Sequence, residues 1–129
     1  MGTAYARILV SNAAKPELKP LNLEVICDSG AIVTCIPKSV ADQLQLETIE
    51  QRVATIADGS THRAPYVGPI KISFYNRTSV GGALVFGEQV LLGATAMQDM
   101  DVILDMRKEE LTVPPDRPNF AGNPILDVR

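Results

Sequence analysis

Leu21, Leu23, Val25 and Cys27 alternate with Asn22, Glu24 and Ile26, the period of a half-buried strand. Ahead of them, Tyr5 to Val10 reads as a first strand, followed by Ser11-Asn12 and a proline-containing loop from Ala13 to Pro20. A further β-type run, Ile32 to Ile36, ends at Pro37, a residue suited to the first position of a helix. Val40, Ala41 and Leu44 then give helical spacing along Lys38 to Leu46. Strand signals return from Arg52 to Ala57, and Asp58-Gly59 is a strong hairpin turn. Thr61 to Val67 predicts the return strand, and Pro65 within it predicts an edge or exposed position. Pro69 to Tyr75 and Ser79 to Phe86 predict another pair around Asn76-Arg77, with a bulge at Gly81-Gly82. The apolar run Val90-Leu91-Leu92 closes on Gly93. A short helix, Ala94 to Met100, a strand, Val102 to Leu104, and a turn and strand from Arg107 to Val113 follow. Many short strands with one or two short helices predict a mainly β barrel.

At 129 residues the chain is long enough for one domain with a real core. We assign that domain to residues 1–113. The stretch 114–129 holds four prolines without periodicity and is expected to be an extended tail, not a second domain. Hydrophobic residues make up 46% and charged residues 21%, which excludes a disordered chain. A net charge of −3 with no basic stripe gives no footprint for nucleic acid. No apolar stretch approaches membrane-spanning length. The residues from Met1 to Arg7 lack the layout of a signal peptide, and Ala6 stands where myristoylation at Gly2 expects Ser or Thr. A cytoplasmic location is expected. Cys27 and Cys35 could form a disulfide only if their strands ran side by side; two free thiols in a reducing compartment are the expectation. One histidine, His62, and two cysteines make no zinc spacing, so neither a metal nor another cofactor is expected.

The sharpest feature is Asp28-Ser29-Gly30-Ala31, set between two apolar segments. An ionised carboxylate held against a core must be hydrogen-bonded, paired or shifted in pKa. One reading is an aspartate capping its own turn through nearby backbone amides. Combined with the mid-chain hairpin and Leu91-Leu92-Gly93, the motif resembles the retropepsin-like aspartic peptidases, the single-domain, retroviral-type branch of the pepsin clan. The resemblance spans Tyr5 to Val113. It implies a retropepsin-like closed β-barrel that forms half of a two-fold aspartic peptidase.

Hydrolysing an amide without a metal, Ser or Cys needs a base to activate water and an acid for the leaving nitrogen. Two carboxylates sharing one proton supply both. This chain has one such motif, so the second carboxylate must come from a second copy across a two-fold axis. The resemblance implies that Asp28 is catalytic, as base in one subunit and acid in the other. Ser29 would then bond across the interface, Gly30 would leave room for the carboxylates, and Ala31 would complete the motif. Leu91, Leu92 and Gly93 would pass behind the loop as its support. The hairpin tip, Ala57, Asp58, Gly59 and Ser60, falls where the family carries a substrate-covering flap. The implied partners are a second copy of the chain and a peptide or protein substrate. His62 is expected to be a solvated loop residue. Asp99, Asp101, Asp105, Glu109 and Glu110 are expected to be solubilising. The alternative to a peptidase is an inactive retropepsin-like module for dimerisation or peptide binding.

Overall fold

A computed structural model describes residues 4–126. Gly2, and the ends of both the 1–113 and 114–129 spans, lie outside the described residues. The fold is mainly β, as expected, with nine strands and two short helices among the described residues. Strand β1 (Ala4–Asn12) buries every second side chain from Ala4 to Val10, and pairs antiparallel with β2 (Leu21–Cys27), Ala4 opposite Cys27. β3 (Cys35–Ile36) leads through Pro37 into α1 (Lys38–Gln43). Past the C-cap Leu44, Gln45 turns the chain left-handed with a φ of 53°, while the Leu46 amide bonds back to the Ala41 carbonyl. β4 (Glu47–Thr55) and β5 (Thr61–Phe74) form a long hairpin, and β6 (Arg77–Val85) returns along β5. β7 (Leu91–Leu92), α2 (Ala94–Met100), β8 (Ile103–Asp105) and β9 (Glu110–Thr112) complete the order.

The strands lie in the order β4-β5-β6-β3-β7-β2-β1-β9-β8, and β1 also pairs with β5. That extra pairing joins β5, β6, β3, β7, β2 and β1 into a closed circuit of neighbours. Inside it sit Ile8, Val10, Val25, Ile36, Ile70, Ile72, Ala83 and Leu92, with Met97 and Met100 of α2 in the same cluster. Burying one such side chain is worth about 1.5–3 kcal/mol, so this cluster is what organises the sheet.

Several local expectations are corrected. Pro65 does not mark an edge, because β5 is a single strand of 14 residues between β4 and β6, and β4 is the edge. The proline is tolerated because the β6 ladder begins one residue later, at Tyr66 opposite Leu84. The irregularity expected at Gly81-Gly82 falls at that height, but the extra residue is on β5, between Val67 and Ile70. Pro69 thus stands in a bulge, where its missing N–H costs least. Of the run Ile32 to Ile36, only Cys35 and Ile36 enter a ladder. Ala31, Ile32 and Thr34 give their carbonyls to the amides of Ala94, Thr95 and Leu84 instead. Cys27 and Cys35 are free, since β7 lies between their strands. Two strand spacings are about 9.6 Å, beyond the roughly 7 Å that a disulfide spans.

No described helix is long and apolar enough to cross a membrane. Beyond β9, Pro114 is fully buried and the following residues run back over the end of α2 without regular secondary structure.

Candidate active site

Asp28 leaves β2 on a tight turn framed from three directions. Its own amide donates to the Leu92 carbonyl at 3.1 Å, continuing the parallel pairing of Ile26 and Cys27 with Leu91 and Leu92. Its carbonyl accepts the Ala31 amide at 3.1 Å, closing the turn. Its Oδ1 accepts the Gly30 amide at 2.8 Å, which fixes the carboxylate against the loop. A Cβ on Gly30 would stand 3.1 Å from that same oxygen, so glycine lets the backbone approach closely. The Asp28 side chain is half-buried, while Ser29 and Gly30 are exposed. Such a carboxylate keeps one oxygen on a backbone donor and leaves the other free for a proton, water or a second acid.

Gly93 anchors the far side of the loop. Its amide donates to the buried Thr34 hydroxyl at 3.1 Å, and the next two amides, Ala94 and Thr95, bond the carbonyls of Ala31 and Ile32 at 2.7 and 3.1 Å. A Cβ at Gly93 would lie 2.6 Å from the Val33 carbonyl carbon, so no larger residue fits this crossing. Sequence reasoning passed over Thr34. Its signal was a lone hydroxyl in an otherwise apolar run. Cys35 faces the same region: burial pushes its thiol pKa up, and the negative charge of Asp28 adds to the shift. The buried Cys27 thiol is pushed up to about 11 by desolvation. Neither thiol is therefore activated as a nucleophile.

The tip of the β4–β5 hairpin bonds within itself. Ile56 donates to Ser60, Gly59 donates to Ile56, and Ser60 donates to the Asp58 carboxylate at 2.8 Å. The Ser60 hydroxyl first, and this amide next, hold the Asp58 pKa below the ordinary range. Gly59 has a φ of 86°, which needs a glycine. These bonds hold Ala57, Asp58, Gly59 and Ser60 as an exposed hairpin end, and none joins them to Asp28. His62 is exposed, as expected, but it stands in β5 opposite Ala54 and not in a loop. Its ring also stands 5.5 Å from Phe86, and its Nε2 lies 3.1 Å from the Ser60 hydroxyl, which links the hairpin to the segment before β7. At the hairpin's base, the Arg52 guanidinium sits 3.5 Å over the Tyr66 ring. Among the described residues no cluster of His, Cys, Asp or Glu could hold a metal ion.

The fold is retropepsin-like. It matches the crystal structure of the retroviral protease-like domain of Ddi1 from Leishmania major with a TM-score of 0.55, over 97% of this chain and 98% of that one. Sequence identity between the two is 14%, so the likeness is one of fold. No family model matches the chain, and no curated protein does.

Proposed function

We propose that this chain is a homodimeric aspartic endopeptidase in which two copies of Asp28 share one proton and activate a water against a peptide bond. The reading is carried by the pose of Asp28: a half-buried carboxylate with one oxygen on the Gly30 amide, on a loop fixed by Leu92 and Gly93. An aspartate that only capped its turn would not need a buried Thr34-to-Gly93 joint behind it. A single carboxylate cannot be both acid and base, so the site is complete only across a two-fold axis. In the dimer one Asp28 takes a proton from water while its partner protonates the leaving nitrogen, and the pair titrates as a unit. Ser29, exposed beside the carboxylate, would bond across the axis. Leu91, Leu92 and Gly93 would support the loop, and residues 57–60 would close over bound peptide.

The test is cleavage of a mixed peptide library by the wild type and by Asp28→Asn at matched concentration. The asparagine keeps the shape and the bond to Gly30 but cannot accept a proton, so cleavage should fall by about a hundred-fold or more. Equal cleavage by both proteins would place any activity elsewhere. A folded wild type that dimerises but cleaves nothing would favour the inactive, peptide-binding alternative.

A further inference from the structure

Two guanidinium groups converge on one carboxylate where α2 ends. Asp101, expected from sequence to be merely solubilising, stands in a left-handed conformation with φ 52°, and its side chain is only 14% exposed. Arg117 grips both of its oxygens, Nε to Oδ2 at 2.7 Å and Nη2 to Oδ1 at 3.0 Å, and the Gly122 amide adds a third bond at 2.7 Å. Arg77, at the start of β6, is wholly buried, yet its nearest approach to this acid is 4.0 Å, from Nη1 to Oδ2. One Arg77 nitrogen donates to the Arg117 carbonyl. Nε and Nη1 have no hydrogen-bond partner among the described residues.

This allocation runs against the usual balance of charge. A surface cation gains little from an ion pair, because water already solvates it. A buried cation without its counter-ion is strongly unfavourable. Here the half-exposed Arg117 holds the carboxylate, and the buried Arg77 is left at arm's length.

We propose that residues 115–123 form a releasable strap, latched by Arg117 on Asp101, and that on release the carboxylate moves to Arg77. The move is small: closing 4.0 Å to ion-pair contact needs a shift of about 1 Å. Beyond the partly buried bonds of Arg77 to the Arg117 carbonyl and of Gly122 to Asp101, the fastenings of the strap are exposed and polar. Asn76 Nδ2 donates to the carbonyls of Pro118 and Asn119 at 2.9 and 3.1 Å, and Asn123 Nδ2 to that of Asp99 at 3.4 Å. Buried Pro114 holds the strap's root, but Phe120 is 83% exposed, so no apolar side chain pins its far half. Each position of the strap satisfies Asp101 with a different arginine, which is what a two-state latch requires. The strap's hold is therefore mainly electrostatic, and salt or an acidic partner that captures Arg117 would open it. None of this depends on the peptidase reading.

Hydrogen exchange on the full chain, read by mass spectrometry for the strap and by NMR for the Arg77 Nε proton, tests the latch. In Arg117→Ala, amides of residues 115–123 should exchange about ten-fold faster or more while the core strands keep their protection. The Arg77 Nε proton should exchange more slowly than in the wild type, and the thermal midpoint should move by only about two degrees. Asp101→Asn should free the strap equally but lose clearly more midpoint, since Arg77 then has no acid to receive. Unchanged strap exchange in Arg117→Ala, or equal midpoint losses in the two variants, would overturn the proposal. Should Asp101→Asn not fold, the Arg77 proton in Arg117→Ala decides, and exchange as fast as in the wild type refutes the transfer.

Discussion

The Thr34 hydroxyl accepts the Gly93 amide at 3.1 Å across 59 positions of sequence, and both groups are buried. This one bond ties the segment that leaves the Asp28 turn to the start of α2. Leu91 and Leu92 continue the same tie as a ladder, so a distant strand braces the turn that the Gly30 and Ala31 amides close locally on Asp28.

Thr34→Val keeps the shape of the side chain and removes the acceptor. The Gly93 amide is then buried without a partner, and stability should fall by about 1–3 kcal/mol. Urea unfolding measures it, and Thr34→Ser should recover most of the loss. A valine variant as stable as the wild type would mean that the Gly93 amide finds another partner.

Gly93→Ala should be worse. The added methyl carbon would meet Val33 and Thr34 backbone atoms at 2.6 to 2.9 Å, and backbone cannot swing aside as a side chain can. A loss of about 3 kcal/mol is expected. Gly81→Ala is the control, because a Cβ there has nothing within 4 Å. It should stay within about 1 kcal/mol of the wild type.

A shared proton on the Asp28 pair predicts a bell-shaped rate profile with its optimum on the acidic side of neutral. Rate falls below the lower macroscopic pKa, where both acids are protonated, and above the upper one, where the proton is lost. Steady-state cleavage across pH measures this. A rate still rising above about pH 8 would rule out the dyad.

Asp101 makes acid stability its own readout. Its carboxyl is held at about 2, below the ordinary 3.8, first by the Arg117 bonds and next by the Gly122 amide. The folded state thus binds this proton less readily than the unfolded chain. The stabilisation is fully present above the unfolded value and is lost as pH falls through 3.8 toward about 2. Asp101→Asn should flatten the acid side of a stability-versus-pH curve in that window, while leaving its shape near neutrality unchanged. An identical acid limb in both proteins would show that Asp101 does not carry it.

Local signals were readable where they coincided with local causes. The helix Ala94–Met100 was legible from the apolar run that closes on Gly93 before it, and the structure has those bounds. The alternation of Leu21 to Cys27 was legible for the same reason. β5 was not, because Pro65 and Pro69 both read as interruptions, whereas the strand passes Pro65 on its β4 pairing alone and passes Pro69 in the bulge between Val67 and Ile70. The Asp28 turn stood out in sequence, but Thr34 behind it did not, since its partner is far along the chain. Asp101 was misread for a similar reason: Arg117 is 16 positions away, and Arg77 belongs to another strand.

The place of β7 between β2 and β3 sets a timetable for the chain. As the polypeptide emerges, β1 can fold onto β2 and β4 through β6 can form a meander, because their partners are neighbours in sequence. The gap beside Cys27 stays open until Leu91 and Leu92 arrive, and the Ala31 and Ile32 carbonyls wait for Ala94 and Thr95. Long-range closures of this kind are slow, since the loop between them must be ordered first. A nascent or truncated chain ending before β7 would therefore carry Asp28 on an unbraced turn. Whatever this carboxylate does, it cannot begin until the last third of the polypeptide is in place.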